Sequence, residues 1–192
     1  SGYDGLFLDI PQLKGEKKRD MTQLTKALAA ELGELSLYLV DNASPDGTGE
    51  RLRQAQWGPR VQVMCLPENV GFGAGHNAVL PLLESKYHAV VNPDITLDED
   101  AVSKLCAFLD EHPDAVMATP QLLFPDGTPQ YTAKRAPGFL SLLARQVPLA
   151  CLKKTEEHYL MLDEDLTVPR EIEFCTGCFF VVRTEVFRRM QG

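Results

Sequence analysis

A chain of 192 residues has room for one domain with a true core, or one domain plus an appendage. At 44% hydrophobic and 24% charged residues it has a globular composition, and its net charge of −8 argues against nucleic acid, whose binding depends on neutralising phosphates. No apolar run approaches the roughly 20 residues of a membrane helix, the first residues do not read as a signal peptide, and five irregularly spaced cysteines do not form a disulfide framework, so a reducing cytoplasmic setting is expected.

Leu6–Ile10 reads as a first strand, and Pro11–Asp20, polar and lysine-rich, as a loop. From Thr22 a helical period sets in, with Leu24, Leu28 and Leu32 on one face and Gly33 as its stop. Leu35–Val40 is an apolar strand that runs into the dense turn signal Asp41–Gly47, and a short helix follows from Thr48. Val61–Leu66 is the next strand, closed by Pro67. Asn69-Val-Gly-Phe-Gly-Ala-Gly-His-Asn77 is then a glycine-rich entry to a helix. Tyr87–Val91 reads as a buried strand that stops at Asn92-Pro93-Asp94, because proline donates no ladder bond and holds the residue before it extended. Thr96 and Glu99 have capping-box spacing ahead of the helical stripe Val102, Leu105, Cys106 and Leu109, which Pro113 ends. Ala115–Thr119 reads as a strand and Phe124–Thr128 as a tight turn. Residues 131–170 carry no clear period. Ile172–Val182 reads as one long strand, and Glu185–Met190 as the start of a helix. Strands alternating with helices at short spacing predict an α/β fold, a mostly parallel sheet flanked by helices.

Three polar loops follow three of these strands: Asp41–Gly47, Asn69–Asn77 and Asn92–Asp94. In a parallel sheet all three leave at the carboxyl edge, where ligands bind. There Asp41 can accept from a base N–H or from ribose hydroxyls; equally, Asp41 and Ser44 have the makings of an Asx turn that caps the next helix. Gly71, Gly73 and Gly75 let backbone come close to a ligand at a helix start. Their spacing is neither a dinucleotide fingerprint nor a Walker loop, and His76 and Asn77 beside them read as phosphate contacts or as structural residues. Asp94, a lone carboxylate at a strand end, suits Mg2+, which takes one or two carboxylates and completes its shell with substrate phosphates; Asn-Pro-Asp is also a common turn. Cys175 and Cys178 have the gap of a zinc or redox pair, but no second pair accompanies them, and Phe174, Phe179 and Phe180 around them read as a buried strand. Residues 134–154 mix Lys134, Arg135, Arg145, Lys153 and Lys154 with apolar side chains. The segment reads as a core-packed helix with a basic outer face, or as one that lies on an anionic membrane surface.

Taken in order, Leu39-Val-Asp-Asn-Ala-Ser44, Glu68-Asn-Val-Gly-Phe-Gly-Ala-Gly-His-Asn77, Val91-Asn-Pro-Asp94, Pro120-Gln-Leu-Leu-Phe-Pro-Asp-Gly-Thr128 and Thr176-Gly-Cys-Phe-Phe-Val-Val-Arg183 resemble the GT-A glycosyltransferases of family 2, and within them the bacterial rhamnosyltransferase-like branch. The resemblance covers residues 35–192. It implies a single GT-A (Rossmann-like) domain, 1–192, with residues 1–119 as the nucleotide-sugar-binding half and 120–192 as a partial acceptor-side half. By the same resemblance Asp41 would recognise the base or ribose, Asn42 and Ser44 beside it would be substrate-binding, and Asn69, Gly71, Gly73, His76 and Asn77 would pack along the nucleotide. Asn92 would border the donor, with Asp94 on Mg2+ or Mn2+ at the diphosphate, and Thr176 and Gly177 would line the donor-sugar and acceptor side. The implied reaction moves a sugar, rhamnose from dTDP-rhamnose being the branch's suggestion, from a nucleoside diphosphate sugar to a glycan or lipid-linked glycan, with inversion, in surface polysaccharide synthesis. The expected place is the cytoplasm, at the inner face of the cell membrane on the reading in which the basic segment 134–154 lies on an anionic surface, and the acidic charge speaks against a nucleic acid partner.

Two departures qualify the resemblance. Leu8-Asp-Ile-Pro-Gln12 stands where the family's first strand ends in a Thr-Tyr-Asn-like triplet. The family's Glu-Asp motif, which carries the general base, is expected beyond Gly192; Glu171 and Glu173 are the acidic residues nearby in sequence. The competing expectation is therefore a catalytically silent nucleotide-sugar-binding module within a larger protein. A nucleotidyltransferase would share the sheet, but no basic signature loop near the first strand supports one.

Overall fold

The computed structural model describes residues 3–9, 35–92, 95–97, 100–139, 141 and 153–192. The helix expected from Thr22 and the expected metal ligand Asp94 lie outside the described residues. In chain order the elements are β1 (Tyr3–Asp9), β2 (Leu35–Asp41), α1 (Thr48–Gln54), β3 (Val61–Cys65), α2 (Phe72–Asn77), a 3-10 turn (Leu80–Leu82), β4 (Tyr87–Val91), α3 (Ala101–Glu111), β5 (Met117–Ala118), β6 (Ala133–Lys134), α4 (Lys153–Tyr159), β7 (Phe174–Cys175), β8 (Phe179–Arg183) and α5 (Thr184–Met190). They fall into two compact units. One is Ser1–Thr119 with Gly177–Gly192, and the other is Pro120–Thr176. Among the described residues no helix is long and apolar enough to cross a membrane.

The first unit is built on a sheet of order β3-β2-β1-β4-β8-β5. β1 pairs in parallel with β2 and β4, and β2 in parallel with β3, so the loops after β2, β3 and β4 share one edge. β8 runs antiparallel to β4 and β5, which makes the sheet mostly rather than wholly parallel. The two-residue period of a strand explains how continuous apolar runs are buried on both faces. Leu37 and Leu39 of β2, with Tyr87, Ala89 and Val91 of β4, pack with Leu52 of α1 and Val102, Cys106 and Leu109 of α3. The intervening Tyr38 and Val40 pack on the opposite face with Val79, Leu83 and Phe187 of α5. His88, between Tyr87 and Ala89 and 0% exposed, stacks on Phe187 with ring centroids 5.4 Å apart. The helical stripe expected behind Thr96 is therefore a core stripe. Asp100, however, stands at the N-cap and makes no side-chain cap bond there, while Ser103 Oγ donates to the Asp100 carbonyl.

The long strand expected over Ile172–Val182 is two strands in different sheets: β7 pairs with β6 in the second unit, and β8 joins the main sheet. The break falls at Thr176-Gly177-Cys178, where apolar patterning on either side hides a turn. The strand expected over Ala115–Thr119 shortens to Met117–Ala118, an edge strand whose neighbour Val116 is 48% exposed.

Within the second unit the tight turn at Phe124–Thr128 forms as expected. Phe124 N–H donates to Thr128 O at 2.8 Å, Gly127 sits at φ 83, and the Asp126 carboxylate takes the Thr128 amide and hydroxyl. Arg135 ties the unit together, donating to Asp163 at 2.7 Å, to Glu164 at 2.8 Å and to the His158 carbonyl at 2.5 Å. That guanidinium holds the Asp163 carboxyl down at about 2. Of the basic stretch 134–154, residues 140 and 142–152 lie outside the described residues; among the described ones Arg135 is spent on acidic partners, and the Lys134 ammonium lies 5.9 Å from the Phe174 ring. A cavity of about 300 Å3 is lined by Arg135, Met161, Glu164, Arg170, Glu171 and Glu173. Of the two acidic residues considered for the base, Glu173 accepts the Ala136 N–H at 2.5 Å and Glu171 lines this cavity.

Candidate functional site

β2 delivers Asp41 and Asn42 to the carboxyl edge. Asp41 is only 4% exposed, and both its carboxylate oxygens accept the Ser44 N–H at 3.3 Å. Its carboxylate lies over the first turn of α1, since a Cβ on Gly49 would stand 2.6 Å from Asp41 Oδ2. Asp41 thus takes the amide three residues on, but the helix cap weighed from the sequence does not form, because the N-cap of α1 is Gly47 with no side-chain cap bond. Asn42, also nearly buried, reaches the next loop. Its Oδ1 accepts the Val70 N–H at 3.0 Å, and its Nδ2 donates to Gly71 O at 3.0 Å and Asn69 Oδ1 at 3.3 Å. Asn69 Oδ1 in turn accepts the Gly71 N–H at 2.9 Å.

The glycines of this loop are glycines for different reasons. Gly71 adopts φ 84 and ψ 171, a conformation that a side chain resists. A Cβ on Gly75 would meet Asn42 Nδ2 at 3.2 Å. Gly73 has neither constraint: it lies inside α2, and a Cβ there would have nothing within 4 Å. Phe72 is a residue that pattern-reading passed over. It is 48% exposed, and a Cβ on Gly177 would stand 2.9 Å from its ring, so Gly177 is small because Phe72 lies on it. The same ring meets His76 edge-on, with centroids 4.1 Å apart. His76 is 3% exposed, and burial, helped by the nearby charge of His88, pushes its pKa down to about 4. Asn77 points elsewhere, donating to the Gln191 carbonyl at 2.8 Å and so tying α2 to the end of α5.

β4 ends at Asn92, whose N–H donates to Cys178 O at 2.8 Å. Its Oδ1 is buried with no hydrogen-bond partner among the described residues. The structure thus brings Asn42, Asn69, Gly71, Phe72, Asn92 and Gly177 to one rim of the first unit, with Asp41 and Ser44 folded into the turn beneath it. Thr176 belongs to the second unit, where its N–H donates to Thr132 O at 3.2 Å and its hydroxyl is buried without a partner among the described residues. Among the described residues no three His, Cys, Asp or Glu side chains gather as a metal site.

Residues 19–191 match the family model described as Glycosyl transferase family 2. No curated protein matches the chain. Among solved structures it is similar to S. aureus TarS 1-349 in complex with UDP-GlcNAc, with a TM-score of 0.58 and 18% identity over 98% of this chain and 47% of that one. It is also similar to the mannosyltransferase PcManGT from Pyrobaculum calidifontis in complex with GDP-Man and Mn2+, with a TM-score of 0.62 and 14% identity over 98% of this chain and 46% of that one. The chain spans about half the length of these structures. At such identities the likeness speaks for the fold, and the family match spans nearly the whole chain. The chain belongs to glycosyl transferase family 2 and has the GT-A fold.

Proposed function

We propose that this chain binds the donor of a glycosyltransferase, a nucleoside diphosphate sugar, along the rim formed by the loops after β2, β3 and β4. The observation that carries this reading is the physical joining of those loops. Asn42 holds the loop after β3, Phe72 of that loop lies on Gly177, and Asn92 at the end of β4 is bonded to Cys178. A carboxyl-edge crevice of this kind is where ligands sit in open α/β sheets. Gly73 adds support: a Cβ there would have nothing within 4 Å, which leaves open room for a ligand to come close to the backbone. The bound UDP-GlcNAc and GDP-Man of the two structural neighbours support the donor class.

A divalent cation fits the residues of the β4 edge. The buried Asn92 Oδ1 is a hard oxygen without a partner among the described residues, and Asp94 follows it by two positions. Asn92 and Asp94 would hold Mg2+ or Mn2+ together with diphosphate oxygens, the sparse protein ligation that such ions accept beside phosphates. When bound, the ion would supply positive charge next to the departing nucleoside diphosphate. The protein's own residues do the rest: they fix the donor's orientation and shield it on the Phe72 side. The sugar, rhamnose by the resemblance, would pass to a glycan or lipid-linked acceptor with inversion. Residues 1–119 then form the nucleotide-sugar-binding half of the domain.

Calorimetry with UDP, GDP and dTDP, with and without Mn2+, tests this. One nucleotide is expected to bind with a strong dependence on Mn2+, and Asp94→Ala is expected to abolish that dependence. Gly73→Ala is expected to keep or raise thermal stability, by at most about 1 kcal/mol, while weakening nucleotide binding by about tenfold, ~1.4 kcal/mol. Absence of binding by all three nucleotides, or unchanged affinity in both variants, refutes the reading.

A further inference from the structure

The carboxamide of Asn42 is spent on the backbone of another loop. Its Nδ2 faces two oxygens and its Oδ1 faces an amide, so both Nδ2 protons are used, and the network fixes which way the group points. The loop it holds, residues 66–71, belongs to no strand, and Glu68, Asn69 and Val70 are exposed. Ordering such a segment costs backbone entropy, which must be offset locally. Asn42 also lies close to the other end of the turn, because a Cβ on Gly75 of α2 would stand 3.2 Å from its Nδ2. One side chain thus braces the loop before the glycine at φ 84 and the helical turn after it. Between those two braces lie Phe72 and the open face of Gly73.

We propose that Asn42 is a positioning residue that acts on the nucleotide through the glycine loop, with no contact of its own to the ligand. This rests on the reading of the rim as a donor site, and it changes the role that resemblance implies for Asn42. The chemistry asks for asparagine in particular. Aspartate would set a third oxygen against Gly71 O and Asn69 Oδ1, and alanine would leave the Val70 N–H and the Gly71 carbonyl without this partner.

The test uses the full chain and two readouts. Amide hydrogen exchange at Val70 and Gly71, measured without nucleotide, reports loop order. The affinity for UDP, GDP and dTDP with Mn2+ reports the donor site. In Asn42→Asp both amides are expected to lose protection at least tenfold while Val90 in the core strand keeps its own, and nucleotide affinity is expected to fall by about the same factor. Asn69→Ala, at an exposed position that leaves the core untouched, is expected to give a smaller loss in both readouts, and it stands in should Asn42→Asp fail to fold. Affinity lost with loop protection intact would mean that Asn42 touches the ligand, and would overturn the proposal. Protection lost with affinity intact would overturn it as well. If the unaltered chain binds none of the nucleotides, the donor reading falls, and the exchange measurement still decides whether Asn42 orders the loop.

Discussion

Arg183→Ala is expected to lower stability by about 3 kcal/mol, read as a fall of roughly 6–12 °C in melting temperature for a chain of this size. Arg183 is the last residue of β8, and its guanidinium ends the helix on the other side of the sheet edge. Nη2 donates to Leu109 O at 2.5 Å and to His112 O at 3.2 Å, and Nε donates to Ala115 O at 2.9 Å. The group lies 5.6 Å from the centre of the Tyr87 ring. A helix leaves its last carbonyls without intrahelical donors, and many helices solve this with a glycine just past the end. After α3 the chain runs His112-Pro113-Asp114, with no glycine, so Arg183 supplies the donors from 74 positions away. Alanine would take this donor from the Leu109 and Ala115 carbonyls, while the His112 carbonyl keeps the Ala115 N–H at 3.0 Å. Lysine keeps the charge but has no planar fork to bridge them, so Arg183→Lys is expected to fall between alanine and the unaltered chain. Thermal and urea denaturation monitored by circular dichroism give the ranking. An alanine variant that melts within about 2 °C of the unaltered chain would show that the bridging bonds add little.

Arg183 also shows where the sequence is readable and where it is not. The sheet could be read because its signals are local. Apolar runs of strand length, proline and glycine punctuation, and the stripe Val102, Cys106, Leu109 all act within a few residues. The shared rim followed from parallel pairing alone. The roles of the polar residues could not be read, because their partners lie far along the chain. Asn77 read as a phosphate contact or as a structural residue, and the partner its side chain reaches, Gln191, lies 114 positions on. Asn42 finds its partners 27 to 29 positions away. Gly177 reads as one small residue in a long apolar strand until Phe72 is seen lying on it. The break between β7 and β8 had the same cause, since each half pairs with a different sheet and nothing in the local pattern announces the change. Phe72 was passed over for a related reason: an exposed aromatic within a glycine run carries no periodic signal.

His76 makes the fold sensitive to mild acid. Its pKa, about 4 in the folded chain, lies below the ordinary 6.5 because burial penalises the charged ring, and the neighbouring His88 adds to that. Above pH 6.5 the ring is neutral in both states and contributes no pH dependence. As pH falls from 6.5 towards 4, the unfolded chain takes up the proton and the folded chain does not, so stability declines through that window. The full difference corresponds to roughly 3 kcal/mol, at about 1.4 kcal/mol for each pH unit. The lowered carboxyls act elsewhere. Asp110, Asp126, Asp163 and Asp165 are all held below their ordinary value of 3.8, so the stability they lend is lost only in stronger acid. Urea midpoints measured between pH 4 and 7 should therefore fall steadily below 6.5, and His76→Leu, which keeps an apolar group against Phe72, should flatten that slope. The consequence reaches the rim, because His76 supports the ring that lies on Gly177. Nucleotide affinity of the folded chain is expected to hold over that interval and to weaken only as pH nears about 4, where the folded ring itself takes up the proton. A slope that survives intact in His76→Leu would move the acid sensitivity to another group and leave Phe72 supported by packing alone.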